Sequence, residues 1–334
     1  MKTVLKVVAV IALLAVVVGG ALVAWLALRS PRMRPASTEK VEATPERIAR
    51  GRYVAENVCD CHGCHSGHVL DRFGMPLEPG HELEGGYPFG RKDGIPGLVC
   101  AQNLTPDPDN GIGKWTDGEV IRGFREGVTP DGTALFPFMP YPYYRSMSDE
   151  DAVAVVAYLR TFKPIAKPVP KRQLDFPVNL LIKFAPAPSD GPRSTPDDAT
   201  DHLAYGKYLV TIAGCRECHT AHDDHGNLVP GRDFAGGWKM EGPWGVNVTA
   251  NITPDPDAYM GQATKEEFIG RFKAFAVQRS AETAPVAEKG KNTVMPWLPY
   301  SGMTEPDLGA IYDYLKTVPP VKNKVDSFPG VTAS

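Results

Sequence analysis

The sequence predicts an all-α protein, made of two tandem copies of one small helical domain with long loops behind a single N-terminal transmembrane helix. Three observations carry that reading. An uncharged apolar run from Val7 to Leu28 follows Lys2 and Lys6 and is long enough to cross a bilayer as a helix. The remainder of the chain repeats itself once, block by block. Each copy carries the same Cys-x-x-Cys-His pentapeptide, CHGCH at Cys61–His65 and CRECH at Cys215–His219.

The elements follow in order. A cleavable signal has a shorter apolar region and a small-residue cleavage site. Here Arg29, Arg32 and Arg34 follow the apolar run at once, so residues 1–30 read as an uncleaved anchor and 31–44 as a linker. Thr44-Pro45-Glu46 starts the first helix of domain 1 (45–165), and the stretch from Asp201 starts its counterpart in domain 2 (201–324). RGRYV at Arg50–Val54 answers YGKYL at Tyr205–Leu209; Gly51 and Gly206 suit close helix approach. NLTPDPD at Asn103–Asp109 answers NITPDPD at Asn251–Asp257, a Pro- and Asp-rich loop. Thr116/Glu119 and Thr264/Glu267 are matching capping boxes.

The closing helices complete the repeat. Ala152, Val155, Val156 and Leu159 match Leu308, Ile311, Tyr312 and Leu315, one apolar stripe on each helix. Ser148 and Thr304 are their N-caps. Between the copies, 166–200 is proline-rich and aperiodic, an extended, semi-rigid linker, and 325–334 is a tail. The 33 Gly and 32 Pro predict the long loops. Net charge is −3, without Lys/Arg runs, so nucleic acid is not an expected partner.

Cys-x-x-Cys-His is the attachment signature of haem c. Two thiols at this spacing can add to the two vinyl groups of one haem, and the next histidine is held under the iron. A single run would leave a zinc half-site open. Two, each in a homologous segment, predict two covalently bound haem c groups on Cys61, Cys64, His65 and on Cys215, Cys218, His219. The sixth-ligand candidates are Met139 and Met295, at matching places, each followed by proline and an aromatic. A residue before proline is extended, which puts both on loops ahead of the last helix. The expected metal ligands are thus His65 with Met139 and His219 with Met295. A methionine near aromatics is otherwise core filler.

The rival histidines are not matched as the methionines are, although His68 and His222 both lie three residues after the motif histidine. His62, His68 and His81 lie near the first motif and His222 and His225 near the second; propionate contact suits them better than ligation. Met147 and Met303 match but directly precede the helix caps. Asn103 and Asn251 are candidates for hydrogen bonds around the haem, while calcium binding by Asp107, Asp109 and Asn110 is disfavoured because no further acidic ligand is spaced nearby. Haem c is attached outside the cytoplasm, where thiols can pair, so Cys59–Cys100 is a candidate disulfide; two free buried thiols are the alternative. Balanced flanking charges fix no orientation for the anchor. Haem attachment does, placing both motifs in the periplasm of a bacterial inner-membrane, single-pass protein.

The run from Asn103 through Leu159 resembles the NITPD loop, methionine loop and last helix of a class I cytochrome c, in the form found in cytochrome c subunits of membrane-bound periplasmic alcohol, gluconate and sorbitol dehydrogenases. Residues 201–324 resemble it less, lacking GIGKW and carrying an altered helix followed by Gln278–Lys291. Members of that type carry three haem motifs and this chain has two. The resemblance implies two class I domains with His/Met ligation and a role in electron transfer.

The expected function is single-electron transfer from a dehydrogenase or quinol-oxidising complex to an oxidase, reaction centre or soluble cytochrome. The chain has no recognisable flavin, nicotinamide or quinone site and no expected catalytic residues. A fixed electron wire within a larger complex is the alternative. A dihaem peroxidase is a third reading, opposed by a methionine on each iron.

Overall fold

The computed structural model describes residues 1–329, apart from 190, 225, 243, 244, 289 and 290. Helix α1, Lys2–Leu28, is 27 residues long, has no buried residue, and is apolar enough to cross a membrane. The first repeat follows with α2 (Pro45–Tyr53), α3 (Cys61–His65), β1 (Pro88–Phe89), β2 (Gly97–Cys100), α4 (Asp117–Glu126), α5 (Tyr141–Tyr144) and α6 (Asp149–Leu159). The connecting segment holds β3 (Gln173–Leu174) and α7 (Val178–Leu181). The second repeat carries α8 (His202–Ile212), α9 (Cys215–Cys218), β4 (Lys239–Gly242), β5 (Gly245–Val248), α10 (Tyr259–Gln262), α11 (Lys265–Lys273), α12 (Trp297–Tyr300) and α13 (Glu305–Leu315).

The caps fall where the sequence puts them. Thr44, Ser148 and Thr304 each accept the backbone N–H three residues on, and so does Asp201. Both capping boxes close with the same distances, 2.8 and 3.2 Å. Helix α2 packs on α6 and α8 on α13. A Cβ on Gly51 would strike the Ala154 carbonyl, and one on Gly206 the Ala310 carbonyl, so the two crossings need glycine.

The all-α expectation is corrected. Helix makes up 39 % of the chain, and two antiparallel sheets are present, β1-β2-β3 and the hairpin β4-β5. The reason lies in the loops: short extended pieces in the Gly- and Pro-rich stretches pair their backbones, locally in the β4-β5 hairpin and across a long connection between β2 and β3. Gly97 and Leu98 of β2 pair with Leu174 and Gln173, which ties the connecting segment to the first repeat.

One buried apolar cluster runs through both repeats, from Val54 and Val58 to Leu308 and Ile311. The contact between repeats is reciprocal. Tyr53 Oη donates to Asp307 and accepts from Thr304 N at 3.0 Å. Its repeat counterpart Tyr208 donates to Asp151 at 2.6 Å and accepts from Ser148 N at 3.2 Å. Each repeat thus supplies one tyrosine to the N-cap of the other's closing helix, a pseudo-twofold arrangement.

Candidate haem centres

Both motif helices start from a left-handed residue. Asp60 (φ 46) also caps α3 by accepting from Gly63 N at 3.1 Å, whereas Gly214 (φ 67) opens α9 without a side chain. The first motif is helical from Cys61 to His65, and the second from Cys215 to Cys218 with His219 as its C-cap.

The histidines are held alike. His65 Nδ1 donates to the Gln102 carbonyl at 2.6 Å, and His219 Nδ1 to the Ala250 carbonyl at 2.8 Å. Each carbonyl belongs to the residue just before the Asn-(Leu/Ile)-Thr-Pro loop. That bond fixes the tautomer and leaves the Nε2 lone pair for a metal, as supporting bonds to ligating histidines do. Neither Nε2 has a protein partner among the described residues. Desolvation lowers both imidazole pKa values, against the opposing carbonyl bonds, and so favours the neutral ligand form. Desolvation also pushes the Cys61, Cys64 and Cys215 thiols up to about 12, which keeps the S–H needed to add across a vinyl group.

The methionine loops match as well. The carbonyls of Met139 and Met295 each accept the N–H two residues on at 2.7 Å, and both side chains pack half-buried against the core. A residue type missed in the sequence fixes these loops. Buried Tyr144 donates to the Cys59 carbonyl and buried Tyr300 to the Ala213 carbonyl, both at 3.0 Å. The repeat alignment contained this signal, since YPYYRSM and WLPYSGM place both tyrosines alike.

A cavity of about 1810 Å³ runs between the repeats. It is nearly twice the upper end of ordinary ligand pockets, roughly 1,000 Å³. Cys64 and Met295 line it directly, and Pro137 and Phe138 bring the Met139 loop to its wall. Tyr143 of the first repeat crosses to Glu217, inside the second motif, at 2.5 Å. Cys61, His65, Met139, Cys215, Cys218 and His219 are not among the cavity's lining residues, so it is the neutral imidazoles, the protonated thiols and the methionine loops, with Cys64 and Met295 at the cavity wall, that fit a covalently held haem c.

The other candidates are accounted for. His62 bonds Ser66 and Tyr158, His68 two backbone carbonyls, and His81 Glu84. His222 bonds Glu217 and lies 4.1 Å from the Trp238 ring, and His225 lies outside the described residues. Met147 and Met303 are core side chains. Asn103 does not serve the haem: its Nδ2 bonds Ile165 O and its Oδ1 takes Thr105, and Asn251 does the same with Val321 O and Thr253. Asp107 accepts three local N–H groups from Asp109 and Asn110, and no cluster of metal-binding side chains occurs among the described residues. The Cys59–Cys100 disulfide is corrected. Both are buried free thiols, Cys59 ending the π turn after α2 and Cys100 ending β2 beside Pro88.

Paired cysteines beside a carbonyl-supported imidazole, once in each repeat, are the residues that would hold covalent haem c. The chain is similar to cytochrome c subunits of dehydrogenases. It is 30 % identical over 295 residues to the cytochrome c subunit of a quinone alcohol dehydrogenase from Gluconacetobacter polyoxogenes, covering 84 % of this chain and 58 % of that one. It is 29 % identical over 308 residues to the fructose dehydrogenase cytochrome subunit of Gluconobacter japonicus, covering 88 % and 57 %. A diheme cytochrome c-type protein of Cereibacter sphaeroides matches at 29 % over 231 residues, 68 % of this chain and 73 % of that one. The chain thus spans less than two thirds of the dehydrogenase subunits it matches. No protein-family profile matches it. The first two are described as cytochrome subunits of dehydrogenases and the third as a dihaem cytochrome c.

Proposed function

We propose that the chain is a membrane-anchored, periplasm-facing dihaem cytochrome c that relays single electrons from a membrane-bound dehydrogenase to a downstream acceptor. Cys61 and Cys64 attach one haem, with His65 and Met139 as its axial ligands. Cys215 and Cys218 attach the other, with His219 and Met295. Residues 45–165 and 201–324 form the two haem domains, joined by 166–200. The observation that carries this reading is the duplicated imidazole support, a carbonyl on Nδ1 at the same point of each repeat.

Haem c, when bound, supplies a one-electron couple, raised in potential by methionine ligation. The chain's part is to keep the ligands still. The Gln102 and Ala250 carbonyls orient the imidazoles, and Tyr144 and Tyr300 fix the methionine loops. Tyr53 and Tyr208 lock the repeats on either side of the cavity that Cys64 and Met295 line. The relatives' description as subunits favours a fixed place in a dehydrogenase complex over a free carrier. Intact-mass measurement of periplasmically matured protein tests the haem count: two haem additions are expected. One addition, or a ferric spectrum without the weak far-red sulfur-to-iron band, would overturn the dihaem or the His/Met assignment respectively.

A further inference from the structure

The connecting segment carries more than a spacer needs. Phe176, Leu181 and Phe184 are 69 %, 47 % and 46 % exposed, on and around α7 and the 3₁₀ turn Ile182–Phe184 that follows it. This apolar patch adjoins the anchor: α7 packs against α1, and the Phe184 ring lies 6.3 Å from that of Trp25. Lys183 Nζ donates to the carbonyls of Ala27 at 2.6 Å and Leu26 at 3.2 Å, two acceptors that the helix end leaves open. The Arg29 guanidinium sits 4.4 Å from the Phe184 ring centroid and 5.3 Å from that of Trp25.

The length of α1 sets the depth of this corner. Its 27 residues rise about 40 Å, more than the roughly 30 Å hydrocarbon layer. The Trp25 end therefore reaches the headgroup level, where tryptophan is favoured. Phe184, against that ring, lies at the same level. A small cavity of about 280 Å³ beside it is lined by Arg29, Arg172 and Lys183 and by no acidic side chain. The Arg29 Nε there is buried without a hydrogen-bond partner among the described residues.

We infer that Phe176–Phe184 is a second membrane contact, seating its apolar side chains in the outer-leaflet interface while Arg29, Arg172 and Lys183 hold a phospholipid phosphate. This rests on the anchor reading above and goes beyond it. A lone helix lets the haem domains swivel; two contacts at one corner fix which face of the cytochrome meets a membrane-bound partner. Apolar side chains on the interface with cations beside them suit an anionic lipid surface.

The test uses the full-length, haem-loaded protein in nanodiscs containing phosphatidylglycerol, spin-labelled at Leu181→Cys, with Val16→Cys and Val277→Cys for comparison. Collision with oxygen and with a water-soluble nickel chelate reports depth. At Leu181 the label should favour oxygen severalfold over Val277, and R172Q with K183Q should reduce that preference. Nickel access at Leu181 equal to that at Val277 overturns the inference. Protection from both reagents also overturns it, since a protein partner would then cover the patch. The Val16 label separates the two claims: if it is not lipid-buried, the anchor itself fails.

Discussion

The two repeats hold their histidines, methionine loops and closing helices with the same bonds, yet differ at several charged positions nearby. Asp151, on α6, takes Arg50 of its own repeat at 2.6 and 2.8 Å as well as Tyr208. Asp307, its counterpart on α13, takes only tyrosines, Tyr205 at 3.0 Å and Tyr53. The residue before the first motif is Asp60, before the second Gly214; inside the motifs Gly63 stands against Glu217. His65 is buried where His219 is half-exposed. The repeats thus share the bonds that hold the histidines and methionine loops and differ in the charges around them. On the proposed dihaem reading, that difference is a route to two centres of unlike potential.

Four experiments would break or sharpen this comparison. The largest effect is expected from the ligands. Met139→Ala and Met295→Ala should each leave both haems attached and remove about half of the far-red band, lowering one potential in a redox titration. Loss of the whole band from either variant would mean the sites are not equivalent.

Next come the carboxylates at the reciprocal contact. Asp151→Asn strips a buried carboxylate from Arg50 and should cost roughly 3 kcal/mol in denaturant unfolding. Asp307→Asn keeps an acceptor oxygen for one of the two tyrosines, exposes no unpaired cation, and should cost about 1 kcal/mol. Equal costs would show that Arg50 adds nothing. Tyr144→Phe and Tyr300→Phe each orphan a buried carbonyl and should cost about 1–3 kcal/mol, by similar amounts in the two repeats.

The smallest effect is a pH dependence confined to the first repeat. Desolvation raises the Asp60 carboxyl to about 7, against the Gly63 N–H and the positive charge of Arg279. With the folded value above the unfolded one, near 3.9, the neutral carboxyl is the form the fold prefers. Its contribution is complete below about pH 4 and is lost as pH rises through 7. Asp60→Asn, which can still cap α3, should flatten the decline in unfolding midpoint between pH 5 and 8. An unchanged slope would place the titration elsewhere.

Much of this was legible in the chain. The apolar run, the duplication, the caps and the motif cysteines and histidines are local patterns, and local patterns survive in sequence because neighbouring residues enforce them. Gly51 and Gly206 were readable as crossing points for the same reason. What only the tertiary structure decided lies in contacts between distant residues. These include the carbonyls behind His65 and His219 and the tyrosines that pin the methionine loops. They also include the strands paired across loops, the unbonded Cys59 and Cys100, and the seating of Phe184 against Trp25. Such partners are chosen by the packing of the whole molecule, and no periodicity along the chain encodes which backbone oxygen will face which ring.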